Sequence, residues 1–234
     1  MALFAVTFDL NCDLGELDDA ALEARLMEEI TSANIACGGH AGDDETMERT
    51  VRLALARGVK VGAHPGYPDR ANFGRLEMAM RADEIENTVA RQIGRLEAVV
   101  TPLGATIVHV KPHGALYNLA ARDRAVARAI GKAVRQWSPL AAMFGLAGSA
   151  MLDVWREMGL RVAAEGFADR RYEADGTLRS RRLPGALITD PAEAAAQALR
   201  LARAGAVETI CVHGDTPGAP EILRACRTAL QSVG

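Results

Sequence analysis

Four of the five histidines share one sequence setting, and imidazole is the side chain that most readily moves a proton near neutral pH. His40, His64, His113 and His213 each end an apolar, β-like run and are each followed within two residues by a glycine. In α/β proteins the loops that leave the C-terminal ends of strands carry the chemistry, and glycine leaves room there for a ligand. The pattern predicts one shared pocket for proton transfer or ligation.

Asp13 adds a carboxylate to this group of imidazoles. With His40 and His64 it supplies the donors of an Asp/His/His metal site, as in metal-dependent deacetylases, and also those of a metal-free acid–base cluster. Both interpretations remain open. His109 and His113 have the HxxxH spacing of a metal motif, but in an extended strand their Cα atoms lie about 13 Å apart, which argues against joint chelation.

Cationic side chains supply the complementary charge. Lys111, which is expected inside the protein, is predicted either to pair with an acid such as Asp9 or Glu165 or to stabilise an oxyanion or a phosphate. Arg75 and Arg170 lie in loops rich in glycine and aspartate, where a guanidinium can hold a substrate carboxylate bidentately.

Strand-like runs that alternate with helical patterns must position these groups. The strand candidates are Leu3–Asn11, Ala33–Cys37, Val59–His64, Thr106–Lys111, Ala141–Leu146, Leu160–Glu165 and Thr209–His213. Helices are expected to begin at Asp18 or Asp19, at Asp43 or Asp44, at Asp83 and at Asp190. These βα units predict a mostly parallel sheet, and about seven strands with polar ends favour a single TIM-like β/α barrel over residues 1–234.

Alternation within the strands predicts that the upper interior of this barrel is polar. Asp9, Asn11 and Asp13 share one face of the first strand, and the apolar residues between them face the helices. The same two-residue period places Lys111 and His113 together. A solvated edge strand also alternates, but five strands agree, which favours an inward-facing polar set.

Composition and charge exclude several classes of function. The net charge is -3 and the charges are interspersed, so there is no basic surface for nucleic acid. The N-terminus lacks the basic region of a signal peptide, and the most apolar stretch, Leu140–Leu152, is too short to span a bilayer. The four cysteines show no paired spacing, which is typical of buried thiols in a reducing compartment. A cytoplasmic protein without a membrane role is expected.

Several longer motifs resemble those of the LamB/YcsF family, in the same order. They are Asp9–Glu16, Ser32–Asp43, Gly62–Asp69, Phe73–Arg75, His109–Asn118, Gly145–Ser149, Glu165–Gly176 and Cys211–Asp215. The resemblance covers almost the whole chain. It implies a distorted TIM-like barrel related to glycoside hydrolases and deacetylases.

The same resemblance implies ATP-dependent opening of 5-oxoproline, a lactam, to L-glutamate. It also implies ATP as a co-substrate and two partner subunits, B and C, which complete the 5-oxoprolinase. The chain has no P-loop, since Gly131-Lys132 lacks the rest of that motif, so the partners are expected to handle most of the nucleotide. A stand-alone metal-dependent amidase or deacetylase and a non-catalytic ligand-binding subunit remain open as alternatives.

For this chemistry we assign two groups of residues. Those expected to perform catalysis are Asp13, His40, His64, Lys111 and His113. Those expected to bind substrate are Asp9, Asn11, Asn34, Tyr67, Arg75, Tyr117, Glu165, Asp169, Arg170, His213 and Asp215. If a divalent metal binds, its expected ligands are Asp13, His40 and His64.

Two positions depart from the family's pattern. Gly39 stands where the family usually has phenylalanine, and the loss of an aromatic wall is expected to widen the pocket. The segment before Thr209 is short, which is expected to alter a local surface.

Overall fold

Seven parallel strands close into a barrel in the computed structural model, which describes residues 8–233 of the 234-residue chain. The strands are β1 (Asp9–Leu14), β2 (Ser32–Ala36), β3 (Lys60–His64), β4 (Ile107–Val110), β5 (Ala142–Leu146), β6 (Arg161–Phe167) and β7 (Thr209–His213). Each strand pairs with the next along the chain, and β7 pairs with β1. The predicted TIM-like barrel is confirmed.

The first strand ends later than the sequence predicts. Its predicted range was Leu3–Asn11, whereas β1 continues to Leu14, and residues 3–7 lie outside the described residues. Each of the other six predicted strands overlaps a strand of the barrel.

Helices surround the barrel and follow most of the predicted capping signals. Within residues 8–233 they are α1 (Ala20–Met27), α2 (Asp44–Arg57), α3 (Ala82–Val100), α4 (Gly114–Ala120), α5 (Arg124–Trp137), α6 (Ala150–Glu157), α7 (Pro191–Arg203) and α8 (Ala219–Leu230). Asp19, Asp43 and Asp190 each accept a backbone N–H at the helix start, as predicted. Arg81, however, is the N-cap of α3, so Asp83 lies in its first turn. None of the described helices is both long and apolar enough to cross a membrane.

The two faces of the strands differ in polarity, as the alternation predicts. Leu10 and Cys12 on the outer face of β1 belong to the apolar core between barrel and helices, which also contains Trp155 of α6. Inside the barrel, the side chains of Asn11 and Asn34 are fully buried and hydrogen-bonded to each other. A polar interior costs little free energy only when its groups are paired in this way.

Gly62 makes room for an imidazole inside the barrel. A Cβ at Gly62 would lie 2.0 Å from Nε2 of His109, its partner in β4, where the register between β3 and β4 shifts. The His109 ring cannot move aside easily, because it stacks on Phe144 with centroids 4.2 Å apart and its Nε2 is 2.8 Å from Oδ1 of Asn34.

Gly62→Ala is expected to lower the free energy of unfolding by about 1–3 kcal/mol, since an extra methyl group overpacks this site. Gly94→Ala is the matched control, because Gly94 lies on the exposed side of α3 and a Cβ there contacts nothing within 4 Å. That change is expected to stabilise the protein by roughly 0.5–1 kcal/mol. Urea unfolding of both variants checks the pair, and equal midpoints would contradict the packing argument.

Candidate active site

A cavity of about 1110 Å³ opens at the C-terminal ends of the strands, the end of the barrel where the sequence predicts a shared pocket. Eight of the predicted site residues line it: Asp13, His64, Arg75, Lys111, His113, Tyr117, Arg170 and His213. They come from distant parts of the chain, and the closed barrel brings them together.

Lys111 lies at the floor of this cavity as a buried ammonium group. It directly follows β4, and its Nζ lies 2.9 Å from Oδ1 of Asp13 and 3.1 Å from Oε1 of Glu165. Burial alone would lower the pKa of Lys111, but Asp13, the Cys211 thiol and Glu165 together raise it well above its usual range. Lys111 therefore has the predicted acid pair and also faces the cavity.

Asp13 is the carboxylate partner of this ion pair. Burial opposes its ionisation, but the adjacent His64 and Lys111 hold its pKa well below the usual range. Its Oδ1 also accepts a hydrogen bond from Nδ2 of Asn34, and its Oδ2 lies 3.4 Å from Nε2 of His64. The result is an ionised base beside a cation, both facing the cavity.

Three histidines meet at a second carboxylate, Glu16, beside the ion pair. Oε1 of Glu16 is 2.8 Å from Nε2 of His40, 3.0 Å from Nδ1 of His113 and 3.5 Å from Nε2 of His64. Burial would lower the pKa of His64, but Asp13 and Glu16 raise it above its ordinary value. The desolvated His40, beside His113, has its pKa lowered to about 3.

The assignment from sequence missed Glu16, although it belongs to the first family-like motif. The two-residue period that points Asp13 inward ends with β1 at Leu14, and Gly15 then adopts a φ of 71°. This left-handed residue redirects the chain, so strand alternation cannot predict the direction of the next side chain. The sequence feature that still pointed to Glu16 was its place in the family-like motif Asp9–Glu16.

Several residues expected to bind substrate lie below the cavity or beside it. Asp9 bonds to Ser32, Thr31 and Thr209 at the opposite end of β1. The others that do not line the cavity are Asn11, Asn34, Tyr67, Glu165, Asp169 and Asp215. The two-residue period predicts which strand residues face the inside of the barrel. It does not predict how deep below the cavity each side chain lies. The inner ones hold the groups above them, as Glu165 does for Lys111 and for the hydroxyl of Tyr117, which donates to Glu165 Oε2 at 2.8 Å.

Three arginines, Arg75, Arg170 and Arg181, form a cationic rim on the cavity. Asp215 accepts from both Arg75 and Arg181. Arg170 is largely buried and lines the cavity, and its Nε has no hydrogen-bond partner among residues 8–233. Burial and the neighbouring Arg181 lower the pKa of Arg170 to about 10, so it remains a cation at neutral pH. The sequence assignment did not include Arg181.

Gly39 faces a helix and does not line the cavity. A Cβ at Gly39 would lie 2.3 Å from Oε1 of Gln92 on α3. Gln92 in turn accepts from the backbone N–H of Gly66 and donates to its carbonyl oxygen, at 3.0 and 2.7 Å. The small residue at position 39 therefore admits the side chain that holds the loop after His64, rather than widening the cavity wall.

Asp169 orients the fourth histidine of the predicted pocket. Its carboxylate accepts from the backbone N–H of His213 at 3.0 Å and from the hydroxyl of Thr216 at 2.5 Å, and it lies 3.0 Å from Nδ1 of His213. Burial opposes ionisation of Asp169, but His213 and Thr216 lower its pKa to about 2.

Asp169→Asn is expected to cost roughly 2 kcal/mol of unfolding free energy at pH 7, because the folded pKa lies below the ordinary value. That stabilisation is present above about pH 4 and is lost as the pH falls towards 2, so the difference from wild type should shrink with acid. Urea unfolding at pH 7 and pH 3 measures it. Exposed Asp18→Asn should stay within about 0.5 kcal/mol of wild type, and a pH-independent difference for Asp169→Asn would contradict the assignment.

Known proteins match nearly the whole chain in sequence. The sequence profile of the LamB/YcsF family matches residues 8–234. The chain is 50% identical to the 5-oxoprolinase A subunit of Chloroflexus aggregans, covering 98% of this chain and 97% of that one. It is 49% identical to the 5-oxoprolinase A subunit of Methylococcus capsulatus, covering 98% and 94%.

Two solved structures share the fold of this chain. The lactam utilization protein from Thermus thermophilus superposes with a TM-score of 0.89 at 44% identity, covering 97% of this chain and 96% of that one. A family 39 glycoside hydrolase from Bacteroides cellulosilyticus has a TM-score of 0.50 at 14% identity, covering 96% and 63%, and shares the fold alone.

Proposed function

Because the chain belongs to the LamB/YcsF family, we propose that it is the A subunit of a 5-oxoprolinase. In this function it opens 5-oxoproline to L-glutamate while ATP is hydrolysed to ADP and phosphate. The names of its relatives support this proposal. The structural observation that carries it is the buried pair of Asp13 and Lys111, which presents a base and a cation side by side to a cavity.

The reaction explains why such a pair is needed. A lactam is a poor electrophile, because amide resonance opposes attack by water. Phosphorylation of the ring oxygen by ATP gives an imidate-like carbon that water can attack. The carbon–nitrogen bond then breaks, the ring nitrogen takes up a proton, and γ-glutamyl phosphate forms. A second water releases phosphate and glutamate.

The residues fit these proton and charge movements. Asp13 takes a proton from the attacking water, and His64, which contacts it, supplies the proton to the ring nitrogen. Lys111 stabilises the negative charge of the phosphoryl group that the ring oxygen carries. His113 is 2.9 Å from His64 and extends this hydrogen-bonded path, while His40 contacts Glu16.

The cationic rim suits the other end of the substrate. Arg170 lines the cavity with a free guanidinium Nε, and Arg75 lies beside it on the same wall. A guanidinium binds a carboxylate with two parallel hydrogen bonds, so we assign the α-carboxylate of 5-oxoproline to Arg75 or Arg170. His213, which also lines the cavity, orients the substrate or the phosphate.

Nucleotide handling is assigned mainly to the B and C partner subunits. Gly131-Lys132 lies inside α5, and a Cβ at Gly131 would meet Trp155 and Met158, so this glycine serves packing rather than phosphate binding. The cavity also exceeds the roughly 300–1,000 Å³ of most small-molecule sites. That volume has room for a phosphorylated lactam.

One reconstitution tests the proposal. Glutamate and ADP are measured from 5-oxoproline and ATP with this chain alone, with the B and C subunits alone, and with all three. We expect glutamate only from the complete mixture and only with ATP. Glutamate from the isolated chain without ATP would instead identify a stand-alone amidase, and no glutamate in any mixture would exclude the assignment.

A further inference from the structure

Nε2 of His64 and Nδ1 of His113 face each other in a contact that two neutral imidazoles would not make. Nδ1 of His64 is 2.8 Å from the carbonyl oxygen of Lys111, and Nε2 of His113 is 2.9 Å from the carbonyl oxygen of Phe73. A carbonyl oxygen only accepts, so both of these nitrogens carry hydrogen, as assigned from their partners. In the neutral rings the remaining nitrogens therefore carry lone pairs, yet they lie 2.9 Å apart.

Two carboxylates face the same point. Oε1 of Glu16 lies 3.0 Å from Nδ1 of His113 and 3.5 Å from Nε2 of His64, and Oδ2 of Asp13 lies 3.4 Å from Nε2 of His64. Converging electron pairs at this separation repel unless a positive species lies among them. Ligand atoms about 2.0–2.1 Å from a tetrahedral zinc ion are about 3.3 Å from one another, close to the separations found here.

We propose that Glu16, His64 and His113 bind one divalent transition-metal ion, with Asp13 beside it. Two imidazoles and one carboxylate suit Zn²⁺, Co²⁺ or Fe²⁺ rather than Mg²⁺ or Ca²⁺, which prefer oxygen ligands. The bonds from His64 and His113 to backbone carbonyls are those that orient metal-ligating histidines. This set differs from the one expected from sequence, in which Asp13 and His40 stood in place of Glu16 and His113.

His40 belongs to the surroundings of this site rather than to its ligands. Its ring is parallel to that of His113, with centroids 3.6 Å apart, so an ion in the plane of one ring lies outside the plane of the other. The Nε2 of His40 instead donates to Oε1 of Glu16, at 2.8 Å. His40 is therefore a positioning residue that fixes the direction of the carboxylate.

The proposed ion has an open side. Asp13, His64 and His113 all line the cavity, so a bound water or the oxygen of a ligand can reach the ion from there. At such a position a divalent ion polarises a carbonyl or phosphoryl oxygen or lowers the pKa of bound water. With the ion bound, Nε2 of His64 holds the metal rather than a proton, so the metal-bound water takes over the proton donation assigned to His64 in the 5-oxoprolinase reaction. Metal binding is measured without substrate, so it is tested separately from the 5-oxoprolinase assignment.

The test uses the full chain, stripped with a chelator and titrated with Zn²⁺ by calorimetry in excess Mg²⁺. We expect one Zn²⁺ ion to bind per chain. Glu16→Gln and His113→Ala should each weaken binding by more than about 100-fold, and His40→Ala by about 10- to 100-fold, as is typical of an outer-shell partner. His213→Asn is the matched control, because His213 lines the same cavity but its Nδ1 contacts Asp169 rather than Glu16. The Zn²⁺ affinity of this variant should match that of wild type.

A measurement on wild-type protein keeps the test decisive if a variant fails to fold. Imidazole ¹⁵N resonances of labelled protein should shift on Zn²⁺ addition for Nε2 of His64 and Nδ1 of His113, while those of His109 and His213 stay in place. If no Zn²⁺ binds, or if it shifts other histidines instead, the proposal is wrong. A protonated His64 donating to His113 would then account for their short contact.

Discussion

Asp13→Asn is expected to lower glutamate formation by the three-subunit mixture by about 10²- to 10⁴-fold, the range for removal of a general base. Asparagine has the same shape, and its oxygen can keep the contacts that Oδ1 of Asp13 makes with Asn34 and Lys111. The fold and the association with partner subunits should therefore persist. Glutamate and ADP release report activity, and circular dichroism with gel filtration reports folding and assembly.

Asp9→Asn is the matched control for this variant. Asp9 belongs to the same strand and face, but lies four residues away, about 13 Å at the rise of a strand, and does not line the cavity. We expect its activity to stay within about threefold of wild type even if its stability falls. If Asp13→Asn kept full activity, the chain would be a binding subunit rather than a catalytic one.

Lys111→Met is expected to give the largest loss of stability, about 3–5 kcal/mol, together with loss of activity. The side chain is 3% exposed and lies between the carboxylates of Asp13 and Glu165. Removing one partner from a buried ion pair leaves uncompensated charge, which costs far more than the loss of the contact itself. Urea unfolding at neutral pH measures the change.

A second substitution separates this charge effect from simple packing. In Lys111→Met with Glu165→Gln, one buried negative charge is removed, so the double variant should regain part of the stability lost by Lys111→Met. Lys132→Met is the control, because Lys132 is exposed on α5 and its removal should change stability by less than about 0.5 kcal/mol. A double variant less stable than Lys111→Met would contradict the argument.

The barrel and the inward-facing strand residues followed from sequence because regular strands have a two-residue period. That period correctly placed Asn11 and Asp13 inside, and the capping signals at Asp19, Asp43 and Asp190 marked helix starts. Helix α4 was missed, because its seven residues begin only two positions after Pro112 and are too few for a helical period to show.

The two-residue period could not predict the depth of a side chain inside the barrel or the direction of a side chain in a loop. Asn34 and Glu165 were expected to bind substrate, but contacts with neighbouring strands, which depend on register, place them beneath the cavity. The direction of Glu16 depends on the left-handed backbone at Gly15, which the side-chain pattern does not encode. Arg181 reaches the site from the long segment between β6 and α7, where no period applies.

The close approach of Gly39 to Gln92 has an evolutionary consequence. Any side chain at position 39 would occupy the space of the Gln92 amide, which would then release the backbone of Gly66. A side chain at position 39 therefore requires the Gln92 amide to move or position 92 to change, although the two positions lie far apart along the chain. Across family sequences, positions 39 and 92 should therefore covary.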